Sequence, residues 1–282
     1  MAGSDQPIDL FHAGAARTVG SYLLDTSEGL TLFDCGPSSC VPALKAGLAE
    51  RGRELGDVKH LLLSHIHLDH AGAAGTLVRE HPELTVWVSE VGAPHLIDPS
   101  RLERSARRLY GETFDPLWGE LAPVPEENVR VAGDRAAGLE VFPATGHASH
   151  HIAYFDGTTL YAGDAAGVRI QPSRAVLPPT PPPDVDVEAW YRTLEEIERR
   201  APERLALIHF GVADDVSRHL AELRRRLDAW SQRVEVGATE DEFVAAAKDE
   251  LPPEEAEAYD QAMPFWQSYA GLARYWEKRG RP

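Results

Sequence analysis

The chain has 282 residues, 43% of them hydrophobic, and a formal charge of −17, which is material for one large α/β domain with an appendage. The acidic field repels polyanions and argues against nucleic acid as a general partner. No run approaches the roughly 20 apolar residues of a membrane helix, and MAGSDQPIDL lacks the basic and apolar regions of a secretory leader, so no membrane partner and a cytoplasmic location are expected.

In chain order, IDLFH, VGSYLLD and LTLFD read as strands, VPALKAGLAERG as an amphipathic helix and KHLLLS as a further strand. Cys35 and Cys40 in DCGPSSC are too few for a disulfide framework and lack zinc-knuckle spacing, so they read as reduced thiols. Strands are expected at Thr85 to Val88 and near Leu139 to Phe142. Between them, residues 98–125 should be mostly helical, with Leu102, Leu109, Tyr110, Leu117 and Trp118 at roughly helical spacing. That stripe reads either as core-facing or as a cap over the active site, with Tyr110, Phe114 and Trp118 as aromatic walls.

HIAYFD and TTLYAGD form a hairpin across Asp156-Gly157. The segment AVLPPTPPP is a surface crossing, because proline fixes φ and removes the backbone donor. Asp184 or Asp186 can cap a helix running to about Arg200, and RLALIHF returns as a buried strand. Beyond Gly211 the pattern is helical, which divides the chain into residues 1–211 and a C-terminal extension, 212–282. In that extension Phe265, Tyr269, Leu272 and Trp276 lie at helical spacing and read as a docking face.

The strongest chemical signal is Ser64-His65-Ile66-His67-Leu68-Asp69-His70, directly after an apolar strand. A strand that ends in a loop projects alternate side chains to one side, so His65 and His67 can approach one cation while Asp69 and His70 face a second. His147, Asp164 and His209 are single polar groups at the ends of apolar segments, where α/β folds put functional groups, and together they complete two coordination shells. His12, His60, His81, His95 and His219 lack ligand-type company and read as surface or packing residues.

The ordered set HIHLDH, TGHASHHIAY, YAGD and IHFG resembles the metallo-β-lactamase superfamily, most closely its glyoxalase II-type hydrolases, over about residues 8–211. The resemblance implies an αββα sandwich with the site at one edge and a helical C-terminal extension. It assigns His65, His67 and His147 to a first metal, Asp69, His70 and His209 to a second, and Asp164 to a bridge shared with a hydroxide. Asp34 in LFDCG matches the superfamily's early aspartate, which supports the histidine loop from outside the metals. Ser64 and His151 are further candidates for orienting ligands, since a metal-bound imidazole usually donates its other N–H.

Two divalent ions, zinc first with iron or manganese as alternatives, would lower the pKa of the bridging water toward neutrality and polarise a carbonyl. Asp69 and Asp164 are then the carboxylates closest to the chemistry, and the expected substrate is a small molecule, a thioester or a lactone. Two other readings stay open: a mononuclear iron oxygenase of the persulfide dioxygenase type, and a noncatalytic metal-binding protein. The tail shows no glutathione-binding pattern, and nothing in the sequence fixes the oligomeric state.

Overall fold

The computed structural model describes residues 6–280. Short apolar runs separated by turn residues give twelve strands in two six-stranded sheets. The first sheet contains, in spatial order, β1 (Ile8–Asp9), β2 (Gly20–Thr26), β3 (Gly29–Phe33), β4 (His60–Leu62), β5 (Thr85–Val88) and β6 (Val129–Val131). The steps from β3 to β6 are parallel, so each needs a crossover. The crossovers are α1 (Val41–Glu50), then α2 (Leu68–Ala71) with α3 (Ala74–Glu80), then α4 (Ala93–Ile97), α5 (Ser100–Tyr110) and α6 (Phe114–Trp118).

The second sheet holds β7 (Arg135–Ala136), β8 (Leu139–Pro143), β9 (Ile152–Phe155), β10 (Thr159–Tyr161), β11 (Arg204–Leu207) and β12 (Gly211–Ala213), also in sequence order across the sheet. The Asp156-Gly157 hairpin joins β9 to β10, with Asp156 Oδ1 accepting from the Thr158 and Thr159 amides at 2.8 and 2.7 Å. The loop after Gly167 crosses to α7 (Val187–Arg200), whose N-cap is Asp186, accepting from the Ala189 amide at 3.0 Å.

Phe33, Tyr154 and Tyr161 meet edge-on or tilted between the sheets at 5.6 to 5.8 Å. Two phenols pin one sheet to the other: Tyr22 donates to the Leu207 carbonyl at 3.0 Å and Tyr154 to the Leu63 carbonyl at 2.9 Å. On the far face of the second sheet, α7 and α8 (Val216–Glu235) share one apolar cluster with α9 (Glu240–Asp249), α10 (Pro253–Ala262) and α11 (Phe265–Lys278). Phe265 and Leu272 are fully buried there, and Tyr269 and Trp276 pack against the cluster. The αββα layering is therefore present, with helices outside both sheets.

Candidate metal centre

β3 is followed by Asp34, whose φ of 50° turns the chain out of the sheet, a conformation that aspartate tolerates better than most residues. Its buried carboxylate then becomes the hub of the histidine loop. Oδ1 accepts from the Ser64 amide at 2.7 Å, and Oδ2 accepts from Ser64 Oγ and from His70 Nδ1, each at 2.7 Å. Because the Ser64 hydroxyl proton is committed to Asp34, its oxygen accepts from His65 Nδ1 at 2.9 Å. Burial raises the Asp34 pKa, against the opposing pull of His70 and Ser64.

His67 is extended and serves as the residue before α2, whose first turn carries Asp69 and His70. From the second sheet come three residues beyond strand ends. His147 lies in the β8–β9 loop, where Gly146 at φ 130° backs directly onto Trp190 of α7 and a Cβ would lie 2.4 Å from its Cα. Asp164 sits in a single helical turn after β10, its amide donating to His151 Nε2 at 3.2 Å. His209 follows β11.

Three outer nitrogens thus have fixed partners. His70 Nδ1 donates to Asp34, His147 Nδ1 donates to the Pro179 carbonyl at 2.8 Å, and His209 Nδ1 donates to the Thr18 carbonyl. In the neutral ring each donation leaves Nε2 with a bare lone pair pointing inward. The inward nitrogens of His65, His67 and His147 lie 2.9 to 3.2 Å apart. His70 Nε2 lies 3.8 Å from Asp69 Oδ2 and 3.4 Å from Asp164 Oδ1, and His209 Nε2 lies 3.4 and 3.6 Å from the same two oxygens.

All seven sequence-derived ligand candidates therefore converge, in overlapping groups whose ligand atoms lie within 4.8 Å of one another. Two of the converging atoms, His70 Nε2 and Asp164 Oδ1, are buried without a hydrogen-bond partner among the described residues. A set of buried lone pairs facing one another is unfavourable unless a cation lies among them, so the donor set suits a divalent metal. Against the opposing effect of burial, Asp164 and Asp69 raise the pKa values of His70 and His209, so in the absence of a cation these two Nε2 atoms draw protons instead. Burial keeps the His65 and His67 rings neutral, His67 down to about 3. Burial alone would raise Asp69 and Asp164, but the adjacent His70, with His209 for both and His147 for Asp164, holds the two carboxyls below the usual range.

Residues 16–209 match the family described as the metallo-β-lactamase superfamily. The chain belongs to that superfamily. It is 27% identical over 157 residues to the uncharacterised protein YobT of Bacillus subtilis, an alignment covering 54% of this chain and 63% of that protein. It is 24% identical over 167 residues to a metallo-β-lactamase fold-containing protein of Sulfurisphaera tokodaii, covering 56% and 62%. The chain thus spans less than two thirds of the length of these curated relatives. Among solved structures, a metallo-β-lactamase family protein from Thermus thermophilus superposes with a TM-score of 0.65 at 23% identity, covering 93% of this chain and 89% of that one. The di-iron-bound form of the protein TTHA1623 gives a TM-score of 0.54 at 25% identity, covering 72% and 91%.

Around the superfamily's motif residues stand further groups, of which the sequence marked His151 but not His150. His151 stacks on His65 at 4.7 Å, and His150 Nδ1 accepts the Ile66 amide at 3.4 Å. His12, read as a plain surface or packing histidine, is buried beside the site and stacks on Trp118 at 5.0 Å. Residues 98–125 are largely helical, and Phe114 packs on Leu68, the residue between His67 and Asp69. The carbonyls of Thr18 and Pro179 were invisible in sequence, since a backbone acceptor carries no side-chain signature. Both cysteines are free and buried, and no helix of the described residues is long and apolar enough to cross a membrane.

Proposed function

We propose that this chain is a dinuclear, glyoxalase II-like metallohydrolase that cleaves a small-molecule thioester or lactone. His65, His67 and His147 would hold one divalent ion, Asp69, His70 and His209 the other, and Asp164 would be shared. The observation that carries the reading is the Asp164 carboxylate, with Oδ2 3.3 Å from His147 Nε2 and Oδ1 3.4 Å from His70 Nε2. One oxygen toward each nitrogen set is what two neighbouring cations need to share a ligand and offset their charge.

Bound divalent ions supply a lowered water pKa and polarisation of a carbonyl oxygen. The chain's own residues do the rest. Asp34, Pro179 and Thr18 fix the tautomer and aim of three imidazoles, and Ser64 relays the hold of Asp34 to His65. The Asp69 side chain is more open than that of Asp164, 22% exposed against 6%, and its carboxylate can accept a hydrogen bond from the attacking water and orient it. In balance, the water oxygen bonds to the acyl carbon, the C–S or C–O bond breaks, and the leaving sulfur or oxygen receives a proton. Cys35 is no nucleophile, because burial pushes its thiol far up.

Zinc is the first choice for the three-imidazole set. The di-iron-bound neighbour at 25% identity supports iron as the second. The test is metal analysis of the purified protein with an anaerobic screen of thioesters and lactones. Two ions per chain with oxygen-independent hydrolysis are expected. A single iron with oxygen consumption would replace this reading with the mononuclear oxygenase.

A further inference from the structure

A wall of neutral side chains adjoins the candidate centre. Trp118 stands between His12, stacked at 5.0 Å and 29°, and Tyr110, edge-on at 5.1 Å. Three separate elements fix it. His12 Nε2 donates to the Leu117 carbonyl at 3.0 Å, Ser39 Oγ donates to the same carbonyl at 2.6 Å, and Gln267 Nε2 of α11 donates to the Tyr110 hydroxyl at 3.1 Å. Below it, Phe114 rests on Leu68 between two ligand candidates, and the charge of Asp69 acts on both His12 and Tyr110.

The nearby cation is turned elsewhere: Arg107 covers the Phe114 ring at 4.2 Å and pairs with Glu103 and Asp115 on the exposed side. One donor is left over. The indole N–H of Trp118 is shielded from solvent and has no acceptor among the described residues, an unfavourable state that an acceptor on a bound molecule would relieve.

We propose that His12, Tyr110, Trp118 and Gln267 form the specificity wall of this site, selecting uncharged substrates with a flat or aromatic acyl group that offers an acceptor oxygen to the Trp118 indole. This deepens, and rests on, the hydrolase reading. A wall without a cation, on a chain of charge −17, gives no purchase to an anionic carrier thiol.

Two thioesters of para-methoxyphenylacetic acid, one on N-acetylcysteamine and one on glutathione, separate a neutral carrier from an anionic one. The neutral ester should show a kcat/KM at least about tenfold higher. Trp118→Phe keeps an aromatic ring and removes the N–H. It should lower kcat/KM by about tenfold for the methoxy ester and by about twofold or less for the plain phenylacetyl ester, the loss of one hydrogen bond. Independently of turnover, the indole N–H resonance of Trp118, identified as the signal missing from W118F, should shift when para-methoxyphenylacetamide is added. A better glutathione ester, equal losses on both acyl groups, or an unmoved indole resonance would overturn the wall. A protein that cleaves neither of these thioesters nor any thioester or lactone of the wider screen would sink the hydrolase reading, and the resonance alone would then decide this one.

Discussion

His147 gives its Nδ1 proton to the carbonyl oxygen of Pro179 at 2.8 Å, and that acceptor is held by the C-terminal helix. The next residue, Thr180, donates through Oγ1 to the Ser268 carbonyl at 2.9 Å. Gly271 of α11 lies so near that an added Cβ would stand 2.0 Å from the Thr180 carbonyl oxygen. Gly271→Ala must therefore displace the loop. The expected cost is about 1–3 kcal/mol of stability, as for other overpacked sites. Metal affinity should fall about tenfold, the lower end of what loss of an outer partner costs. Melting curves and chelator competition on the metal-loaded protein check both, and unchanged affinity would uncouple α11 from the site.

Asp34→Asn puts an amide donor where three donors converge, so at least one of Ser64 N, Ser64 Oγ and His70 Nδ1 loses its acceptor. Metal affinity should drop by about 10–100-fold, with about 1–3 kcal/mol of stability lost from the orphaned donor. Ser64→Ala removes the link to His65 and one of the three donors to Asp34, but leaves the Ser64 amide and His70 on the carboxylate, and should cost less. If the two variants bind metal equally well, the hub role given to Asp34 is wrong.

Asp164→Ala takes away the shared carboxylate without opening the apolar core. A loss of kcat on the order of 10²-fold or more is expected, comparable with removing one major transition-state contact. Occupancy of the second ion should weaken while the melting curve stays cooperative. Near-normal turnover with two ions bound would rule out the shared role.

His219 offers a pH test away from the chemistry. It is buried in α8 and donates from Nε2 to the Ala166 carbonyl at 2.7 Å, and burial lowers its pKa to about 4. A histidine depressed in the folded state binds its proton more tightly when unfolded. Its neutral form therefore contributes full stability above about pH 6.5, and that contribution is lost as pH falls toward 4. The span corresponds to about 3 kcal/mol. His219→Gln keeps a donor for Ala166, and its unfolding free energy should fall less than that of the wild type over this window. Parallel urea titrations at several pH values would show two superimposable acid limbs if His219 has no part.

The HIHLDH segment was legible because four ligand-type residues fall within six positions after an apolar strand. His147, Asp164 and His209 were legible as polar ends of strands. The β5 boundaries, Thr85–Val88, fall where the alternating residues put them, whereas β6, β7 and β12 are two or three residues long, too short to show a period. Apolar spacing revealed that α11 docks through Phe265 and Leu272. It could not reveal Gln267, a polar residue whose partner Tyr110 is brought close only by folding. His12 escaped for the same reason: its neighbours Trp118 and Asp69 belong to other elements.

The division of the site between the layers has a mechanical consequence. The connection after β4 in the first sheet carries His65, His67, Asp69 and His70, and the connections after β8, β10 and β11 in the second carry His147, Asp164 and His209. Any ion seated there would act as a rivet through the sandwich, loaded whenever one sheet slides over the other. Tyr22 and Tyr154, whose phenols span the layers near the same strand ends, are its shims, so the gauge of the site is set by the thickness of the core as much as by the ligands.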